Sequence, residues 1–392
     1  MYVVSFALSY LNYVTYIFES YFPSQPCKSL YICYRNIGGL RHAMSLLAIW
    51  PKSPQTLTTT LIWLGCFTGF STAFSASFVG AILIERDFEH LVAVLGQTIP
   101  IIVITIKYGL IKGQLQSLKY FLTTMEKDWE VQKRKLEGRD ATRDHGIMLT
   151  HARISRIFFY VYITIVIICW ILFIIAPVSK KLSATNETAI TNELIMNSWY
   201  PLPNYLMRMV IAHTSIDGLL VTSIFHLCGQ FEILRFLISF SDRNKLKKFY
   251  SAAHAVEESF NQILLGQLLG GTLTICVAGF SFLQAMESNN VTMLVRFAFL
   301  LTMALQQMFI YSFAGDYLTS QGAVIRIAAY KANWYELPPL IEKLFLLIVM
   351  RASKPITITA GKFLPMSLTS FTKVSREVHC YLSKCHTIYY LC

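Results

Sequence analysis

The residues of this chain best placed to do chemistry are a histidine and an aspartate four positions apart, His213 and Asp217. That spacing sets both on one face of a helix, and the surrounding stretch, Tyr200–Phe231, is largely apolar. An ionisable group in such a stretch is costly, which makes it a candidate functional position. The pair reads in two ways: as a polar contact in a binding cavity or helix interface, or as two buried groups that satisfy each other. Arg208 and Arg296 lie near the ends of apolar runs, where a long side chain can snorkel its charge outward. His379-Cys380 and Cys385-His386 are metal-ligand types without the spacing of a zinc site. Neither a metal nor a cofactor is expected. Cys66, Cys169, Cys228 and Cys276 fall inside apolar runs and read as packing groups. Gly-x-Ser-x-Gly, Walker-type and His-Glu-x-x-His patterns do not occur, so the chain does not read as an enzyme.

Composition says what must position these residues. Of 392 residues, 54% are apolar and only 14% charged, with a mean hydropathy of +0.49. A soluble protein carries about a quarter of its residues as charges, so the chain reads as an all-α integral membrane protein. Uncharged or nearly uncharged runs long enough to cross a bilayer lie at Leu57–Ile84, Phe88–Ile106 (with Pro100 inside), Ile157–Ser179, Tyr200–Phe231, Ser259–Met286 and Val291–Gly315. A seventh span is broken into two half-length pieces, Pro338–Met350 and Ile356–Thr372, the second containing Lys362. A break at membrane depth is tolerated where protein or a water-filled cavity covers the loose backbone. Met1–Phe22 reads as a cytoplasmic or interfacial segment, with an eighth span as the alternative.

Twenty-one Lys and Arg fall in segments 107–156, 232–258 and 316–354, against four in the alternate loops. Basic residues gather on the cytoplasmic side, so the N-terminus is expected inside and the C-terminus outside. The sequons at Asn186 and Asn290 then lie outside, and Asn186 is the expected glycosylation site. Topology thus accounts for the net charge of +12. The basic stretch at Lys133-Arg134-Lys135 is interleaved with Glu126, Asp128, Glu130, Glu137, Asp140 and Asp144, which reads as a solvated helix and not a nucleic-acid surface.

The C-terminal third carries more specific information. Tyr330, Trp334 and Tyr335 are followed by Leu346, Arg351, Ala352, Lys354 and Pro355, then by Thr359-Ala360-Gly361-Lys362-Phe363 and by Ser367, Leu368 and Phe371. This series resembles the signature of insect odorant receptors. Gly39-Leu40, Ile49-Trp50-Pro51 and His226-Leu227-x-x-Gln230-Phe231-x-x-Leu234 resemble its shorter motifs upstream.

The resemblance implies a tuning subunit that binds small volatile molecules within the bilayer. It implies assembly with the odorant co-receptor into a hetero-tetrameric, ligand-gated, non-selective cation channel of the sensory-neuron plasma membrane. Residues 1–56 would form a cytoplasmic or interfacial segment, 57–319 spans one to six with the ligand cavity, 320–374 the anchor and broken pore span, and 375–392 an atypical tail. Candidate ligand contacts in the outer halves of the spans are Gln97, Trp170, Phe173, Met207, Ile211, His213, Phe280 and Phe282. Candidate pore and anchor residues are Tyr330, Trp334, Lys362, Ser367, Leu368 and Phe371.

One feature departs from the family. Its pore helix stays apolar almost to the C-terminus, whereas here Ser375-Arg376-Glu377-Val378-His379-Cys380 follow Val374. Arg376 opposes cation flow, so poor conduction is expected. The alternatives are a gustatory-type chemoreceptor channel, which works without the co-receptor, and a seven-span G-protein-coupled receptor, which needs the opposite orientation.

Overall fold

In a computed structural model of the chain, the described residues are 31–84, 88–135, 141–183, 203–237, 243–288, 291–331, 350 and 356–391, some helical side chains excepted. The helices are α1 (Tyr31–Leu46), α2 (Leu57–Ile84), α3 (Phe88–Gly113), α4 (Leu115–Lys135), α5 (Ala141–Ser183), α6 (Pro203–Leu237), α7 (Arg243–Glu287) and α8 (Val291–Lys331). A two-stranded antiparallel hairpin, β1 (Thr359–Ala360) and β2 (Leu364–Pro365), then leads into α9 (Leu368–Leu391). Among the described residues, five stretches are long and apolar enough to cross a membrane: Val94–Gly113, Arg143–Ile168, Arg208–Arg235, Lys248–Glu287 and Met293–Ala328.

Local chemistry sets the helix ends. α1 closes with Ile49 N–H donating to Met44 O and Ala48 N–H to Ser45 O, while Ala48 takes a φ of 55°. That is the left-handed C-terminal closure in which glycine is the usual residue. Thr56 and Thr59 cap α2 reciprocally, each hydroxyl accepting the other's backbone N–H, at 3.3 and 3.0 Å. Ser367 caps α9 by accepting from Ser370 N–H at 3.1 Å.

α6 is the central element. It packs against α5, α8, α7, α3, α2 and α1, and the stretch Arg208–Arg235 is almost wholly enclosed. A helix buried on every side cannot send its polar residues to water, so they must find partners on its neighbours. α7, with 45 residues, runs about 67 Å at 1.5 Å per residue, twice the hydrocarbon thickness. Its N-terminal half packs against α4, whose apolar face is Leu118, Phe121, Leu122, Met125 and Trp129.

Several expectations change. Ile356–Thr372 is not a half-span helix: residues 356–366 form the hairpin, with Gly361 and Lys362 at φ of 63° and 69°, and the helix begins only at Leu368. Gly361 N–H donates to Asn261 O at 2.9 Å, and Thr359 Oγ1 to Glu257 Oε1 at 2.7 Å, so α7 templates the turn. Arg296 does not snorkel; it is 1% exposed. Lys107 is not a cytoplasmic loop residue, because α3 continues to Gly113 and holds it inside the bundle. The divisions drawn at 319 and 374 fall within α8 and α9. Residues 338–349 and Asn186 lie outside the described residues.

Candidate ligand cavity

Asp217 of α6 sits at the middle of a buried polar network. Lys107 Nζ, from α3, donates to its Oδ1 at 2.9 Å and to Tyr311 Oη of α8 at 2.9 Å. Tyr311 Oη in turn donates to the same carboxylate. Tyr162 Oη of α5 and Gln307 Nε2 of α8 donate to Oδ2 at 3.0 and 2.9 Å. The Lys107 and Asp217 side chains are 1% and 5% exposed, so neither charge has water to fall back on. Such a pair repays its desolvation only when the remaining hydrogen bonds are satisfied, which is what the two tyrosines and the glutamine do. His213, one turn before Asp217, meets Gln307 Nε2 through its Nε2, and Lys107 Nζ lies 3.5 Å from its Nδ1. Gln267 Nε2 of α7 completes the chain by donating to Gln307 Oε1 at 2.6 Å.

Against this network lies a cavity of about 140 Å³ between α3, α5, α6, α7 and α8. Ile101, Val103, Val166, Val210, Phe299, Leu300 and Met303 give it a mainly apolar wall. His213, Gln267 and Gln307 are polar wall residues linked to one another and to Asp217. Gly270 is required by the close approach of α7 to α3: a Cβ there would lie 2.1 Å from Val103 Cγ2. α8 stands between cavity and α9. Its Ala304 faces the cavity and also packs with Met308 against Val378 of α9. Phe309 meets the Phe371 ring edge-on at 5.9 Å.

This architecture can be compared with known proteins. The family model described as 7tm Odorant receptor matches residues 87–378. The chain belongs to the insect odorant receptor family. Putative odorant receptor 92a of Drosophila melanogaster is 27% identical over 135 residues, covering 34% of this chain and 32% of that one. Odorant receptor 13a of the same species is 25% identical over 217 residues, 47% of this chain and 50% of that one. The matches thus span a third to a half of these relatives' length. The solved structure of the insect olfactory receptor OR5 from Machilis hrabei in complex with eugenol has the same fold, with a TM-score of 0.73 at 12% identity. The alignment covers 91% of this chain and 99% of that receptor.

Of the receptor's sequence-predicted ligand contacts, His213 lines the cavity. Ile211 packs into the main core instead. Phe280 and Phe282 are partly buried further along α7, Phe282 against the cluster that includes the wall residue Leu300. The side chains of Gln97, Trp170, Phe173 and Met207 lie outside the described residues. In the C-terminal region, Tyr330 is exposed, Lys362 is exposed at the hairpin turn, Ser367 caps α9, Leu368 begins it and Phe371 packs on α8. Trp334 lies outside the described residues. Sequence reasoning misses Lys107, Tyr162, Gln267, Gln307 and Tyr311. The signal for the glutamines was present, since Gln267 and Gln307 each interrupt an apolar run.

Proposed function

We propose that this receptor is an odorant-tuning subunit. It crosses the sensory-neuron plasma membrane seven times, with its N-terminus cytoplasmic and its C-terminus extracellular, and Asn186 is glycosylated outside. It assembles with the odorant co-receptor into a tetrameric, ligand-gated, non-selective cation channel. The observation that carries this reading is the cavity between the helices: a mainly apolar wall with a few linked polar groups suits a small volatile molecule.

A ligand opens the pore only by binding the open state better than the closed one. A difference of about 1–3 kcal/mol produces a graded response. α8 is the natural carrier, touching the cavity through Gln307 and α9 through Met308 and Phe309. α9 packs through Phe371, Val374 and Val378, leaving Thr369, Lys373, Arg376 and Cys380 exposed on the opposite stripe. When that stripe lines the ion path, Lys373 and Arg376 oppose cations, and the co-receptor subunits carry most of the current.

The test is expression in oocytes with and without the co-receptor, using a volatile panel that begins with eugenol. Small odorant-evoked inward currents are expected only with the co-receptor, and larger ones from Arg376→Leu. Equal currents without the co-receptor point to the gustatory-type reading. An N-terminal tag accessible on intact cells overturns the topology, and silence across the panel overturns odorant tuning.

A further inference from the structure

We infer that the cavity selects molecules carrying a hydroxyl donor, such as small alcohols and phenols, over ethers, carbonyl compounds and hydrocarbons of the same size. The inference rests on the reading of the cavity as the ligand site.

The polar groups around the cavity are oriented one by another, beginning at a fixed charge. Both carboxylate oxygens of Asp217 accept hydrogen bonds, Oδ1 from Lys107 and Oδ2 from Tyr162. Gln307 therefore turns its amide nitrogen toward Asp217 Oδ2, at 2.9 Å. Its carbonyl oxygen then faces α7 and accepts from Gln267 Nε2 at 2.6 Å. This fixes Gln267 as well: nitrogen toward Gln307, oxygen at the free end. Gln267 lines the cavity and is 4% exposed, and its Oε1 has no hydrogen-bond partner among the described residues. Of the two hydrogens on the amide nitrogen, one is spent on Gln307, whereas both lone pairs of the oxygen are open.

The other polar wall groups have the same bias. Thr214 Oγ1 spends its hydrogen on Val210 O at 2.9 Å, and Thr274 Oγ1 on Gly270 O at 2.8 Å, leaving only lone pairs. His213 is occupied by Gln307 on one nitrogen and has Lys107 beside the other. The wall therefore has more open acceptors than donors, and a buried acceptor left unmet penalises any ligand that cannot donate to it. The volume of about 140 Å³ is close to the roughly 150 Å³ of an apolar cavity known to admit benzene, so single-ring molecules fit.

The experiment uses the full chain purified with its co-receptor. It compares benzyl alcohol, para-cresol, anisole, benzaldehyde and toluene by thermal stabilisation as a function of concentration. The first three share one molecular formula, and anisole is the most apolar of these isomers, so burial alone favours it. The expected result is half-maximal stabilisation by benzyl alcohol and para-cresol at concentrations about tenfold below those of the other three. In Gln267→Met this ratio falls below about twofold. Anisole acting as well as benzyl alcohol on the unaltered chain overturns the inference and leaves the cavity reading standing. A preference that survives Gln267→Met also overturns it. No stabilisation by any of the five, toluene included, overturns the cavity reading and the inference together. The ranking on the unaltered chain does not depend on the variant folding.

Discussion

Two aspartates, one on α6 and one on α4, each meet a lysine and an α6 histidine, and their surroundings make them different devices. Near the cavity, Asp217 is bound by Lys107 of α3 and lies one turn from His213 on its own helix. Further along, Asp128 of α4 binds Lys248 of α7, and His226 of α6 approaches it at 3.4 Å. The first lysine side chain is 1% exposed and the second 37%. Two tyrosines and a glutamine donate to Asp217 beside Lys107, whereas water can solvate Lys248. The same residue types thus give a sealed strut at Asp217 and a wet clasp at His226, nine residues and about 13 Å further along α6. An enclosed ion pair fixes geometry because breaking it leaves an uncompensated charge, while an exposed one contributes little.

The strut should break hardest. Lys107→Met leaves Asp217 charged and enclosed, which costs about 3–5 kcal/mol. Loss of surface delivery and of folded protein in detergent checks this. Lys107→Met combined with Asp217→Leu removes both charges and should recover most of that loss, because replacing a whole buried pair with apolar groups is close to neutral. No recovery in the double variant would show that the pair stabilises through its partners and not through charge balance. Asp128→Asn, at the clasp, should cost about 2 kcal/mol, since it weakens hydrogen bonds to two cationic or polar partners while leaving room for water. Lys248→Ala should cost less than about 1 kcal/mol, and the little it contributes should fade at high salt. Thermal unfolding of the purified variants ranks all four, and equal losses at the two sites would erase the distinction.

The same contrast explains what could be read in advance. Helix positions were legible: the uncharged run Leu57–Ile84 forms a helix with those same ends, its start fixed by the Thr56–Thr59 cap. The hairpin at 359–365 was not, because Ile356–Thr372 reads as apolar by composition and its turn depends on α7 supplying Asn261 O. Lys107 was misassigned because a charge count places each lysine with its sequence neighbours. α3 in fact continues six residues past it, about 9 Å deeper. The polar surroundings of the cavity were half legible. His213 and Asp217 announce themselves four apart on one helix. Their partners come from residues 107, 162, 307 and 311, and no local pattern joins positions that only packing brings together.

The central claim is that the cavity between α3, α5, α6, α7 and α8 is where this receptor binds its odorant. Met303→Trp tests it most directly, since Met303 lines the cavity and lies outside the Asp217 network. Measured beside the co-receptor in oocytes, against the most effective volatile of the panel, the filled cavity should raise the half-maximal concentration at least about tenfold. Surface delivery should match that of the unaltered chain. An unchanged dose–response curve at equal surface delivery would contradict the assignment.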